Sequence, residues 1–177
     1  MAHLEQREFF AQMVARFPHS FADCRVLEVG SLNINGTVRD FFTGCDYTGV
    51  DVASGPGVDV VALGQDVDYP DRSFDTVVSA ECMEHNPEWV ATFVNMHRMA
   101  DGLVVMTCAT TGRAEHGTTR SDPGSSPLTL QWDYYRNLTA DDFRLAVDLD
   151  SMFAEYAFTT NDRSHDLYFW GVTHGHF

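Results

Sequence analysis

With 177 residues, 44% hydrophobic and 21% charged, the chain has the make-up of one ordinary globular domain, read here as a single unit over 1–177. Its formal charge of −15 argues against nucleic acid as a partner, and the absence of lysine excludes Schiff-base chemistry and a P-loop lysine. No run approaches the roughly 20 apolar residues a bilayer demands, and the polar start Met1–Glu8 resembles no leader, so a cytoplasmic, membrane-free protein is expected.

Leu4, Phe9, Phe10, Met13, Val14 and Phe17 follow helical spacing, which predicts an N-terminal helix within 1–20, ended by Pro18. Arg25-Val26-Leu27-Glu28-Val29 then reads as a buried strand running into Gly30. Residues 36–42 are expected to be helical, 46–51 a second strand, and 58–63 a third after the Ser54-Gly55-Pro56-Gly57 turn. Ser73 to Ala80 forms a fourth strand. Asn86 as N-cap, Pro87 at the first helical position and the apolar series Trp89, Val90, Phe93, Met96 and Met99 predict the next helix. Leu103 to Cys108 makes a fifth strand.

A polar stretch over 110–137 is too long for a plain connector and reads as a candidate lid. Thr139-Ala140-Asp141-Asp142 opens a last helix, and 154–160 with 167–173 closes the chain as two strands too near for a crossover helix, hence antiparallel. The sum is an α/β, Rossmann-like, mainly parallel sheet with helices on both faces and an antiparallel C-terminal strand pair. The terminal His174-Gly175-His176 reads as a solvated end. Cys24, Cys45, Cys82 and Cys108 form no CxxC pair and read as free thiols. No metal site is expected, the Cys82-x-x-His85 spacing having no second ligand pair nearby in sequence.

Ligands of such sheets sit beyond the carboxyl ends of the strands. Gly30 after the first strand lets a backbone approach closely, and Asp51 ending the second can accept both hydroxyls of a ribose. The intervening loop Gly30-Ser31-Leu32-Asn33-Ile34-Asn35-Gly36 lacks the central glycine of a dinucleotide fingerprint, which disfavours a nicotinamide oxidoreductase. The acid Glu28 before the turn suits a sulfonium or ammonium better than a diphosphate.

Four segments in order, Val26-Leu27-Glu28-Val29-Gly30, Tyr47-Thr48-Gly49-Val50-Asp51, Gln65-Asp66-Val67 with Tyr69–Asp75, and Ser79–His85, resemble the class I S-adenosylmethionine-dependent methyltransferases, particularly the type 11 group. That resemblance implies Glu28 and Gly30 beside the methionine part, with Ser31, Asn35 and Gly36 in the same loop, and Asp51 on the ribose. It further implies Asp66 at the adenine amino group beside Gln65, Val52 and Val67 on either side of the ring, and Ala80 and Glu81 along the cofactor. The N/D-P-P-Y motif of nucleic-acid amino-methyltransferases is absent from Glu81-Cys82-Met83-Glu84. His85 and His116 are the candidate bases, and Glu84, Arg113, Glu115, Tyr134, Tyr135 and Arg136 the candidate acceptor contacts. The expected activity is methyl transfer from S-adenosylmethionine, leaving S-adenosylhomocysteine, to an O or N atom of a small molecule. The alternative is a catalytically silent, cofactor-binding or partner-stabilising subunit. Oligomeric state is not legible.

Overall fold

The computed structural model describes residues 3–175; Met1, Ala2, His176 and Phe177 lie outside the described residues, and with them part of the N-terminal run and of the terminal histidine pair. The elements are α1 (Leu4–Arg16), β1 (Arg25–Val29), β2 (Asp46–Asp51), β3 (Val60–Val61), β4 (Phe74–Ala80), α2 (Trp89–Met99), β5 (Ala100–Ala109), α3 (Ala140–Ala146), α4 (Leu149–Met152), β6 (Phe153–Asn161) and β7 (Asp166–Thr173). The seven strands form one sheet in the order β3-β2-β1-β4-β5-β7-β6. Neighbours are parallel from β3 to β5, while β7 runs antiparallel to both β5 and β6.

Alternation along the strands divides the core into two layers. Val26, Val78, Val105 and Trp170 face α1, meeting Phe9, Phe10 and Met13. Leu27, Val77, Val104 and Phe169 face the opposite layer, meeting Phe93 and Met96 of α2 and Phe143 of α3. Because Glu28 keeps step with Val26, its side chain belongs to the α1 layer. Single positions on the strands thus determine which face of the sheet each acid serves.

Three elements differ from the sequence reading. The segment 36–42 is not an α-helix but a single 3-10 turn over Val38–Phe41, capped by Thr37 Oγ1 accepting from Arg39 N. So short a helix does not sustain itself, and tertiary contacts take over. Arg39 donates to the Tyr47 carbonyl at 2.8 Å and lies over the Tyr47 ring, while Phe41 stacks on Phe10 and Phe42 on Phe21. The third strand shrinks to Val60–Val61 because the Asp59 carboxylate, rather than a backbone carbonyl, accepts from Gly49 N. Helix α2 begins at Trp89: Asn86 Oδ1 accepts from Glu88 N at 2.8 Å and starts a preliminary turn containing Pro87.

Helix α3 opens with a capping box in which Thr139 Oγ1 accepts from Asp142 N and the Asp142 carboxylate accepts from Thr139 N. Thr139→Ala is expected to lower the unfolding free energy by about 1 kcal/mol, read as a fall in the urea midpoint at constant slope. An unchanged midpoint would show that the box contributes nothing.

Candidate functional site

The strand order reverses between β1 and β4, and the chains leaving those strands diverge to open a cleft. Gly30 enters it at φ +83°, and a Cβ there would stand 2.5 Å from Cys82 Cβ, so only glycine allows the two loops to touch. Leu32, Val52 and Ala80 supply walls, and Asp51 supplies the carboxylate. Asp51 Oδ2 accepts from Leu32 N at 3.0 Å and Oδ1 from Val52 N at 2.8 Å, so the acid also ties the β1 loop to β2. Each oxygen retains a further lone pair. Burial raises its pKa, against the pull of the two amide donors.

A second, smaller chamber lies on the α1 side and shares Gly30, Leu32 and Ala80 with the cleft. Glu28, Ser31, Gly36 and Gln6 line it. Burial pushes the Glu28 carboxyl up to about 7, although the Tyr47 hydroxyl donates to it at 2.9 Å. Gln6 donates through Nε2 to Thr107 Oγ1 at 2.8 Å, and its Oε1 is buried without a partner, as is Ser31 Oγ. A chamber rich in unsatisfied acceptors suits a donor-bearing, cationic group. Gln6 was not among the candidates. Its signal is a polar residue in helical register with Phe9, Phe10 and Met13, the buried face of α1.

Beyond β4 the backbone takes a left-handed step at Glu81 (φ +56°) into the 3-10 turn Met83–His85. Glu81 is buried with neither carboxylate oxygen hydrogen-bonded; the nearest cation is Arg113, at 3.9 Å. Glu84 is fully buried, accepts from Ala109 N at 3.2 Å through Oε1, and has no partner at Oε2. Burial, reinforced by Glu81, holds its pKa well above the carboxylate range. His85 lines the cleft; burial, with His116 nearby, pushes its pKa down to about 3 and keeps the ring neutral. The rings of His85, His116 and Tyr135 pack mutually, with centroids 4.9 to 5.5 Å apart.

The long loop folds over this end, and its contribution to the cleft is Ser125 to Thr129 and Trp132, not the residues expected. Of those, Glu115 is exposed and bonded to Thr118 and Arg120, and Arg136 is exposed and paired with Asp142. Arg113 is occupied by the Ser164 carbonyl and Asp166, Tyr135 donates to the Ala114 carbonyl, and Tyr134 does not line the cleft. These groups tie the loop down. Pro127, Leu128 and Trp132, apolar side chains in a polar stretch, were the legible sign of the true wall.

The β3–β4 segment also differs from expectation. Gln65 accepts from Thr92 Oγ1, Asp66 is exposed, and Val67 belongs to the core, its carbonyl accepting from Asn95. Ala62 and Gly64 form the cleft wall there, because Asn95 draws the backbone at 64 and 67 onto α2. In the β1 loop, Ile34 reaches the cleft in place of Asn35. Gly30, Asp51, Val52, Ala80, Glu81 and His85 line the cleft, and Glu28, Ser31 and Gly36 line the adjoining chamber.

Residues 27–106, from β1 through most of β5, match the family model of a methyltransferase domain. No curated protein matches the sequence. Among solved structures, the chain is similar to Burkholderia thailandensis 1,6-didemethyltoxoflavin-N1-methyltransferase, solved with its substrate and S-adenosylhomocysteine. Identity is 16%, coverage is 94% of this chain and 77% of that one, and the TM-score is 0.64. The YcgJ protein of Bacillus subtilis aligns at 11% identity over 94% and 98% of the two chains, with a TM-score of 0.62. Haemonchus contortus phosphoethanolamine N-methyltransferase 2, in complex with S-adenosylmethionine, aligns at 15% identity over 94% and 52%, with a TM-score of 0.64. At these identities the likeness is one of fold.

Since the native Glu28 carboxyl titrates near 7 rather than the ordinary 4.5, the folded protein holds a proton that the unfolded chain releases at lower pH. Its contribution to stability is therefore complete at pH 4.5 and below, and is lost as the pH rises through about 7. Urea midpoints at pH 5 and pH 8 should fall further for the native sequence than for Glu28→Gln. Equal falls would contradict a raised pKa at this acid.

Proposed function

We propose that the chain is a class I methyltransferase that binds S-adenosylmethionine, releases S-adenosylhomocysteine and methylates an O or N atom of a small molecule; the domain match over residues 27–106 and the shared fold support this reading. The observation that carries this reading is the junction of two unlike compartments around Gly30. One presents the Asp51 carboxylate in a largely apolar cleft, and the other presents Glu28 with the unpartnered acceptors of Gln6 and Ser31. Those compartments suit the two polar ends of one ligand, the hydroxyls of a nucleoside and the ammonium of an amino acid.

When bound, the cofactor supplies a methyl group already activated on a sulfonium. The protein's part is then chiefly positioning, which can account for about 7–11 kcal/mol of a barrier. Asp51 accepts from the ribose hydroxyls without releasing the Leu32 and Val52 amides, so binding and loop order reinforce each other. Val52, Ala62 and Ile34 give the base an apolar bed. At the other end, His85, with His116 packed against it, engages the acceptor's hydroxyl or amine, while Ser125–Thr129 and Trp132 shut out bulk water. The neutral His85 ring offers a hydrogen-bond acceptor in the same cleft as the Asp51 and Glu81 carboxylates. The charge of −15 disfavours a nucleic-acid acceptor, and two of the similar solved structures are by name N-methyltransferases of small molecules. Four unpaired thiols fit a reducing, cytoplasmic setting, and no helix among the described residues is long and apolar enough to cross a membrane.

Calorimetric titration with S-adenosylmethionine, S-adenosylhomocysteine and NAD tests the reading. Both sulfur nucleosides should bind and NAD should not; failure of both would overturn it. Asp51→Ala should weaken S-adenosylhomocysteine by roughly tenfold or more, in keeping with the loss of hydrogen bonds to a charged group, about 1.5–3 kcal/mol. Nucleoside binding with no turnover on any amine or hydroxyl acceptor would favour the silent-subunit alternative.

A further inference from the structure

We propose that Glu84, His85 and His116 form a binding site for one divalent transition-metal ion of the zinc or ferrous class, at the inner end of the cleft. Each offers one ligand atom, and the three atoms lie within 4.8 Å of one another. Bonds of about 2.1 Å set tetrahedral donors about 3.4 Å apart, a spacing the three side chains reach by closing up to about 1.4 Å between each pair. Two imidazoles and one carboxylate, with further positions open to solvent or substrate, are a donor set for iron, zinc or manganese rather than for magnesium or calcium.

The donors are also buried and unsatisfied. Glu84 Oε2 and His85 Nδ1 have no hydrogen-bond partner, although the residues are 0% and 2% exposed. Unpaired acceptors at that depth are costly, and both would be satisfied by a single cation.

The surroundings orient the three side chains as outer partners orient metal ligands. Ala109 N–H holds Glu84 by its other oxygen, Oε1. His116 Nδ1 lies 3.0 Å from the Ala114 carbonyl, an acceptor only, so Nδ1 carries the proton and Nε2 the lone pair. Gly117, at φ +65°, lets the loop close on His85: a Cβ there would fall 2.6 Å from His85 Cε1. The second cluster of this kind, His3, Glu81 and Asp166, is different, since Asp166 is already committed to Arg113 and His3. In sequence the site is hidden because His116 reaches it from the far side of β5. An ion here would polarise an acceptor hydroxyl placed in the cleft, yet the inference rests on the donor set and not on the identity of the methyl donor.

The test uses the whole chain, stripped with chelator and titrated with Zn(II), and with Co(II) as a spectroscopic substitute. One equivalent should bind, and X-ray absorption of the zinc form should show two imidazoles, oxygen and no sulfur. His116→Asn, at a half-exposed position, should weaken uptake by at least about tenfold while leaving the melting curve in chelator unchanged. No stoichiometric uptake, a sulfur shell from Cys24 and Cys45, or uptake indifferent to His116→Asn would each overturn the site. Should that variant fail to fold, the absorption spectrum of the native protein decides alone. Because no nucleoside is present, failure here leaves S-adenosylmethionine binding untouched, and the reverse holds too.

Discussion

The site depends on a close approach between two turns. Gly30 leaves β1 and Cys82 leaves β4, and the space a β-carbon would need at Gly30 is filled by the cysteine side chain. Strand order reverses at this point, so the two turns are the floor from which the cleft walls diverge. The left-handed backbone at Gly30 directs the following residues toward Asp51, whose carboxylate secures Leu32. On the other side, the left-handed step at Glu81 lowers Glu84 and His85 into the interior. A side chain at position 30 would separate the turns and undo both arrangements.

Polar groups in the interior divide by their degree of satisfaction. Two of the amides on α2 and its entry are well engaged: Asn95 donates to Gly64 and Val67, and Asn86 links Glu88 N to Thr92. Those around the cleft are not, and Gln6 Oε1, Ser31 Oγ, both Glu81 oxygens, Glu84 Oε2 and His85 Nδ1 lack partners. Almost all of the latter are acceptors. Such a lining favours occupants that bring protons or positive charge, and it opposes anions as firmly as the net charge does.

The absence of an α-helix between β1 and β2 is offset by aromatic packing. Phe10 stacks on Phe41, and Phe21, Phe42 and Tyr47 join in consecutive ring contacts, with Arg7 over Phe41 and Arg39 over Tyr47. The connection thereby stays thin, and the small chamber beside Glu28 lies between it and α1. The antiparallel β6–β7 pair completes the other edge, β7 covering β5 and carrying Asp166 to the ion pairs with Arg113 and His3.

Much of this was legible from residue order alone. Apolar runs marked β1, β2, β4 and β5, and the short gap between the last two segments required an antiparallel pair, because backbone pairing and burial alternation are local patterns. Gly30, Glu28, Asp51 and Ala80 were legible because they lie at the carboxyl ends of strands, and His85 because it follows β4 in the next turn, where ligands of such sheets sit. What tertiary structure decided lay in loops and across layers. The segment 36–42 became a 3-10 turn through Arg39 and its aromatic neighbours, Asp66 was turned to solvent when Asn95 drew its flanks onto α2, and Trp132, rather than the candidate acceptor contact Tyr134, lines the cleft. Gln6 and His116 reach the site from distant parts of the chain. Sequence determines what a strand does with its own residues; only packing determines which remote side chain fills the space beside it.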